Sequence, residues 1–315
     1  MLEVPEGLRR TAHNSEASWL RSAHQLIELV CRHCGIETLS TRRVLDVGCG
    51  TKVTKALVDG EIPIEKYVGI DVDPKVIDFL QTNVDKPNFE FHHIDVRNDF
   101  YNPDGLRLAD RHELPVGDAR FDVIWLFSVF THLGPEDYVA MLRLLRRYVR
   151  PDGCLVFSLF INELTETGVG IVDLRFEQAV NDAATLDAAL SREIERLVAE
   201  KGEAWFASET QGWVASLDEA TRARVDEEWR RTASGEMDDM TPADSRPLFV
   251  DESGEFQSAG EPPDFVELMP EQPLLAPLFS RRYAIELFDG TGWEIVALNL
   301  PEPEYIQHYF VCRPA

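Results

Sequence analysis

The chain has 315 residues, 44% of them hydrophobic and 28% charged, enough to bury a full-sized core in one large domain or two small ones. Its net charge of −25 works against binding a nucleic-acid backbone or an anionic membrane surface. No run approaches eighteen apolar residues and the first six residues are acidic rather than leader-like, so a cytoplasmic protein without a membrane span is expected.

Residues 16–34 read as an amphipathic helix, with Trp19, Leu20, Ala23, Leu26, Ile27 and Val30 recurring at spacings of three and four. Cys31 and Cys34 form a CxxC on that helix. No second CxxC completes a zinc site and no strand precedes it as a redox motif would require, so both are read as buried thiols. Strands and helices then alternate. Residues 43–47 make a first strand running into Asp46-Val47-Gly48-Cys49-Gly50, and a helix follows over 52–58. Residues 67–71 make a second strand. Asp73-Pro74 starts a helix to about residue 83, Asp as N-cap and Pro at the first helical position. Residues 89–94 are a third strand. Residues 121–127 are a fourth, nearly all apolar, as a strand buried on both faces should be. A helix over 135–149 and a turn at Pro151-Asp152-Gly153 lead into a fifth strand, 154–160. This alternation predicts an α/β fold: a parallel sheet, helices on both faces, and ligands at the carboxyl ends of the strands.

Beyond residue 162 the pattern changes. Residues 163–280 hold 27 acids against 9 bases. Residues 173–201 and 217–232 are helix-like, 234–243 reads as a linker, a hairpin is expected around 251–254, and 262–277 is proline-rich and irregular. The alternation resumes with a helix at 281–288 and strands at 293–300 and 307–313.

The glycine-bearing turn after the first strand lets backbone approach a ligand closely. Asp71 ends the second strand 25 positions after Asp46, where an acid can accept hydrogen bonds from both ribose hydroxyls. Asp95 follows the third strand, where a carboxylate can meet an adenine amine.

With VLDVGCGT, VGIDVDP, the acid of HIDV, FDVIWLFSVFTHL and LLRRYVRPDGCLVFS in this order, the sequence resembles the class I, Rossmann-like methyltransferases that use S-adenosylmethionine (SAM). The resemblance covers about residues 39–162 and 281–313. It implies a seven-stranded sheet, mostly parallel with an antiparallel last strand, and SAM lying across the strand tips, with S-adenosylhomocysteine (SAH) as product. It implies that Gly48, Cys49 and Gly50 face the methionine part, that Asp71 holds the ribose, and that Val72 packs on adenine. Asp95, with Val96 beside it, would meet the adenine amine, Phe127 and Ser128 would line the cofactor, and Asp46 would orient the glycine loop. The third glycine of the usual GxGxG is Lys52 here, read as a solvated side chain with the SAM carboxylate as the alternative partner. The domain scheme is a helical lid at 1–40, a SAM-binding domain at 41–162 and 281–315, and an acidic insertion at 163–280 acting as substrate lid or oligomer interface, a homodimer being possible.

The acceptor is less marked. The fourth strand ends in Phe127-Ser128-Val129-Phe130, not the Asn/Asp-Pro-Pro-Tyr/Phe of many nucleic-acid amine methyltransferases. It carries no acid for a catechol-type metal and no glutamate pair of the protein-arginine enzymes, so no metal is expected. The SVFTH segment and Tyr101-Asn102-Pro103-Asp104-Gly105 resemble members associated with bacterial glycan or natural-product pathways. The expected reaction is methyl transfer to a hydroxyl of a small-molecule or glycan acceptor. The alternatives are N-methylation of a small amine, or a non-catalytic SAM-binding scaffold. His132, about five residues past the fourth strand, is the candidate base; its alternative role is to brace the following helix. His92 and His93 are read as packing residues, and His13, Trp19 and His24 as lid residues.

Overall fold

Apolar runs decide the sheet. All six residues of β4 (Phe121–Leu126) and four of the five of β1 (Arg43–Val47) are buried, so both strands must be covered on two faces. The computed structural model describes residues 1–9, 16–162, 249–250, 256–257, 261–267, 274, 277–299 and 307–315, which all fall in one compact unit. The helix-like stretches 173–201 and 217–232, the linker 234–243 and His13 lie outside the described residues.

β1 pairs in parallel with β2 (Lys66–Asp71) and with β4; β2 pairs with β3 (Phe89–His93), and β4 with β5 (Val149–Leu159). β11 (His308–Pro314) runs antiparallel to both β5 and β10 (Trp293–Asn299). The seven-stranded order is β10-β11-β5-β4-β1-β2-β3. From β1 the chain builds outward to one side through β2 and β3, then returns to build the other side from β4. The tips of β1 and β4 therefore flank the switch point where ligands bind in such sheets.

Side chains alternate between the two faces. Val44, Tyr67, Val123, Trp125 and Val156 pack with α1 (Glu16–Cys34), α2 (Lys52–Asp59) and α3 (Pro74–Asn83). Leu45, Ile70, Ile124, Phe157 and Phe310 pack with α4 (Pro135–Arg146) and α5 (Arg281–Glu286). The N-terminal residues are tied to α2: the buried Lys55 ammonium donates to Leu2 O at 2.6 Å and to Asp59 Oδ2 at 2.7 Å, and Leu2 N–H donates to Asp59 Oδ1 at 2.6 Å.

One expectation for the cysteines is corrected. Cys34, the last residue of α1, is disulfide-bonded to Cys154 in β5, with their Cα atoms 6.2 Å apart. Helix and strand meet face to face there, so two thiols 120 positions apart become neighbours. Cys31 stays free and half-buried, while Cys49 and Cys312 are buried thiols.

β6 (Phe249–Val250) pairs antiparallel with β7 (Phe256–Gln257); the expected turn at 251–254 lies outside the described residues. The proline-rich stretch is more regular than its composition suggests. β8 (Phe265–Glu267) pairs antiparallel with β9 (Pro277–Phe279), and Phe279 bridges to Ile161 just past β5. Val266 and Phe279 are buried in this unit's own core, so the end of the acidic stretch contributes to it. Among the described residues no helix is long and apolar enough to cross a membrane.

Candidate functional site

The loop leaving β1 is folded over the tip of β2. Gly48 and Cys49 both donate their N–H groups to Ile70 O, at 2.8 and 3.1 Å. Gly48 has φ +70°, and a Cβ there would overlap the Val129 side chain that follows β4. This position brings the β1 and β4 tips into contact and admits only glycine. Gly50 N–H donates to Asp71 Oδ2 at 2.9 Å, and the other oxygen, Oδ1, accepts from Asp73 N–H at 2.9 Å. Asp71 is thus fixed at the mouth of the loop by two backbone donors, while Asp73 caps α3 through Lys75 N–H.

Asp46 does not do what the resemblance implies. Its carboxylate accepts from Tyr67 OH at 2.6 Å beneath the sheet, on the α1–α2 face, and the glycine loop's Gly50 N–H donates to Asp71 instead. Burial pushes the Asp46 carboxyl up to about 7, against the hydrogen bond from Tyr67. Cys49 turns its sulfur inward onto Gly69, so only its backbone faces the loop's outer side.

Lys52 is the second correction. It is half-buried rather than fully solvated: its ammonium points to Ser22 Oγ of α1 at 3.3 Å, and burial lowers its pKa to about 8, opposed by the charge of Asp46. Ser22 Oγ itself donates to Trp19 O at 2.8 Å.

At the β4 tip, Phe127 stacks on Trp125, centroids 6.1 Å apart, and meets Tyr309 edge-on at 6.3 Å. Ser128 has φ +58°, a left-handed conformation costly for a residue with a side chain. It is held by its N–H to Ser158 Oγ at 2.8 Å and by the Gln307 side-chain amide, which donates to Ser128 Oγ at 3.0 Å. His132 closes the 3₁₀ turn Phe130–His132, with Nδ1 3.0 Å from Leu274 O and its ring 6.3 Å from that of Phe100. A carbonyl only accepts, so Nδ1 carries a proton in this contact. Leu274 also sits at positive φ, +61°, with its N–H donated to Glu267 Oε2 at 2.8 Å.

The remaining predicted residues lie along the β2 and β3 tips. Val72 is half-buried against the core, and its carbonyl accepts from His93 Nε2 at 3.1 Å. Asp95 is exposed and receives Asn102 Nδ2 at 3.1 Å, which joins it to the Tyr101–Gly105 segment; Val96 is buried and bridges to Leu106. His92 faces Glu90 at 3.8 Å. Trp19 is buried, with the Arg9 guanidinium 5.8 Å over its ring. His24 reaches toward Gly60 at the end of α2, away from the glycine loop. Sequence reasoning missed Gln307, the Ser22–Lys52 contact, and His308, whose buried Nδ1 has no hydrogen-bond partner and whose pKa burial lowers to about 4, helped by the charge of Arg281. A shallow pocket of about 250 Å³ lined by Ser40, Leu57, Ile62, Lys86 and Phe89 lies at the opposite, leading end of the strands and shares no residue with this site.

The seven-stranded order and the glycine turn at the switch point define a Rossmann-like α/β fold of the methyltransferase type. A family profile described as a methyltransferase domain matches residues 45–157. The chain is 30% identical over 119 residues to the 27-O-demethylrifamycin SV methyltransferase of Amycolatopsis mediterranei, covering 38% of this chain and 39% of that one. It is 29% identical over 126 residues to a malonyl-[acyl-carrier protein] O-methyltransferase of Acetivibrio thermocellus, covering 40% and 38%. The chain spans about two fifths of the length of these curated relatives. Among solved structures, magnesium protoporphyrin IX methyltransferase from Synechocystis PCC 6803 with bound SAH aligns over 98% of this chain and 92% of that one at 12% identity and a TM-score of 0.44. Residues 45–157 thus carry a methyltransferase domain.

Proposed function

We propose that the whole protein is a SAM-dependent methyltransferase acting on an oxygen of a small acceptor, a natural product or glycan being the leading class. The observation that carries the cofactor half of this reading is Asp71, pinned by Gly50 and Asp73 N–H groups beside an open glycine loop. A Cβ built at Gly50 meets nothing within 4 Å, so the space over the loop suits a ligand, and a fixed carboxylate at its edge suits a ribose diol. In this reading Gly48, Cys49 and Gly50 face the methionine part, and Val72, Asp95 and Val96 meet the adenine. Phe127 and Ser128 border the methyl end, while Asp46 supports the floor through Tyr67.

SAM supplies an electrophilic methyl group on its sulfonium. The chain's own task is to hold the acceptor oxygen in line with it and to take its proton. His132 is placed for the second task, with Nδ1–H fixed on Leu274 O and Nε2 as the proton-accepting atom. Oxygen as the target is supported by the printed names of the two curated relatives, one a 27-O- and one a carrier-protein O-methyltransferase. The lid at 1–40, the insertion at 163–280 as acceptor cover, and a homodimer belong to the same proposal. A cytoplasmic setting is also kept, on composition, with the Cys34–Cys154 bridge standing against it.

The experiment is direct. Calorimetry of the purified chain with SAH should give a saturable isotherm, and incubation of native-host extract with labelled SAM should yield a labelled small molecule. Absence of SAH binding overturns the cofactor reading. A labelled amine in place of an ether or ester overturns the choice of oxygen.

A further inference from the structure

Lys52 occupies a position where a glycine is usual, and its side chain folds inward between the glycine loop and α1. An ammonium has three N–H donors. Only one is used here, on Ser22 Oγ at 3.3 Å, and among the described residues no carboxylate stands within ion-pairing distance. Asp46, whose charge reaches Lys52, accepts from Tyr67 OH and makes no ion pair with the ammonium. A half-buried cation without an anion is disfavoured, which makes the missing anion informative.

The surroundings narrow that anion. Gly50 N–H is taken by Asp71, so the loop does not present it to a phosphate, and the Asp71 carboxylate repels one. The loop therefore has two unlike ends, a fixed carboxylate at the β2 tip and an underpaired ammonium at the start of α2. That polarity suits a ligand with a neutral diol at one end and a carboxylate at the other.

We propose that Lys52 anchors the carboxylate of the cofactor's methionine moiety, with Ser22 of α1 steering the ammonium toward it. The proposal rests on the glycine loop being the SAM cradle. It gives α1 a definite part in cofactor binding and explains why a lysine is placed inward at this point of the loop.

The test compares two ligands that share the adenosine and its sulfur, SAH and 5′-deoxy-5′-methylthioadenosine, which lacks the amino-acid tail. Calorimetry is run on the full chain and on Lys52→Met, Lys52→Arg and Ser22→Ala. Lys52→Met should weaken SAH by about tenfold or more, the range of a charge-assisted hydrogen bond, and leave methylthioadenosine within about twofold. Lys52→Arg should restore part of the SAH affinity, and Ser22→Ala should weaken SAH alone by a smaller factor. Equal losses for both ligands would reduce Lys52 to a structural part, and unchanged SAH binding would overturn the anchor while the SAM reading stands. If the unaltered chain binds neither ligand, the cradle reading fails and the anchor with it. Should Lys52→Met not fold, Ser22→Ala and Lys52→Arg carry the same comparison.

Discussion

Gly50 and Asp71 are joined by a 2.9 Å hydrogen bond from the loop backbone to the carboxylate, and the second oxygen of Asp71 is held by Asp73 N–H. One acid therefore sets the shape of the glycine turn and also stands at its mouth. Asp71→Asn removes the charge while keeping the size. A charge-assisted hydrogen bond is worth about 1.5–3 kcal/mol, so SAH affinity should fall by about tenfold to a hundredfold, read by calorimetry on protein shown to be folded. Unchanged affinity in a folded variant sinks the ribose assignment.

Gly48 makes a steric prediction that needs no ligand. At φ +70° and against Val129, an alanine both strains the backbone and overlaps a side chain. Gly48→Ala should cost about 1–3 kcal/mol in urea denaturation. Adding Val129→Ala should recover only part of that, because the overlap is relieved and the φ is not. Full recovery would show that the backbone conformation was never the constraint.

His132 separates chemistry from bracing. As the base, His132→Ala should lower kcat by about 10²–10⁴-fold with SAH affinity unchanged. As a brace it should lower the melting temperature and leave turnover of the folded fraction intact. Turnover within about threefold of the unaltered enzyme, with methyl transfer rate-limiting, removes the base.

His308 sets a pH window. Its folded pKa, about 4, lies below the ordinary 6.5, so the unfolded chain takes up the proton first. Stability from this group is present above about 6.5 and is lost as pH falls through that value toward about 4. Asp46, raised to about 7, works in the opposite sense, gaining as pH falls from about 7. The clean measurement is therefore a difference. His308→Gln should gain stability relative to the unaltered chain between pH 6.5 and 4, and parallel curves would show that burial does not disfavour the charged ring.

The bridge between Cys34 and Cys154 can be counted. Unfolded without reductant, the chain should titrate three thiols, and five after reduction. Reduction should cost roughly 2–4 kcal/mol of stability, and a Cys34→Ser, Cys154→Ser chain should ignore the reductant. Five thiols in protein taken from its native host under quenching would make the bridge absent in that compartment.

The sheet was legible because its strands are apolar runs between turn residues, and β1, β2 and β4 begin and end close to where that pattern puts them. β5 starts earlier than expected: Val149 already pairs with Phe121, and Pro151-Asp152-Gly153 bulges out before pairing resumes at Cys154. A turn signal marks a bulge as readily as a strand start. β8 and β9 hid behind prolines, although Pro277 opens β9 at an edge where a missing N–H is tolerated. The glycine loop and Asp71 could be found from spacing alone. The Asp46–Tyr67 pairing, the inward turn of Lys52 and the cysteine bridge could not, because each depends on which face of a strand or helix meets which neighbour.

The bond that fixes the His132 tautomer comes from a main-chain carbonyl, that of Leu274, held at positive φ by Glu267. Every residue type has that carbonyl, so substituting Leu274 does not delete the contact. What controls it is chain length between Glu267 and the site, and the Glu267 carboxylate that seats the turn. Proton acceptance by this histidine would thus be inherited through spacing rather than identity: relatives could differ freely at this position and keep the chemistry, while a one-residue insertion or deletion in the connection would shift the carbonyl and release the ring.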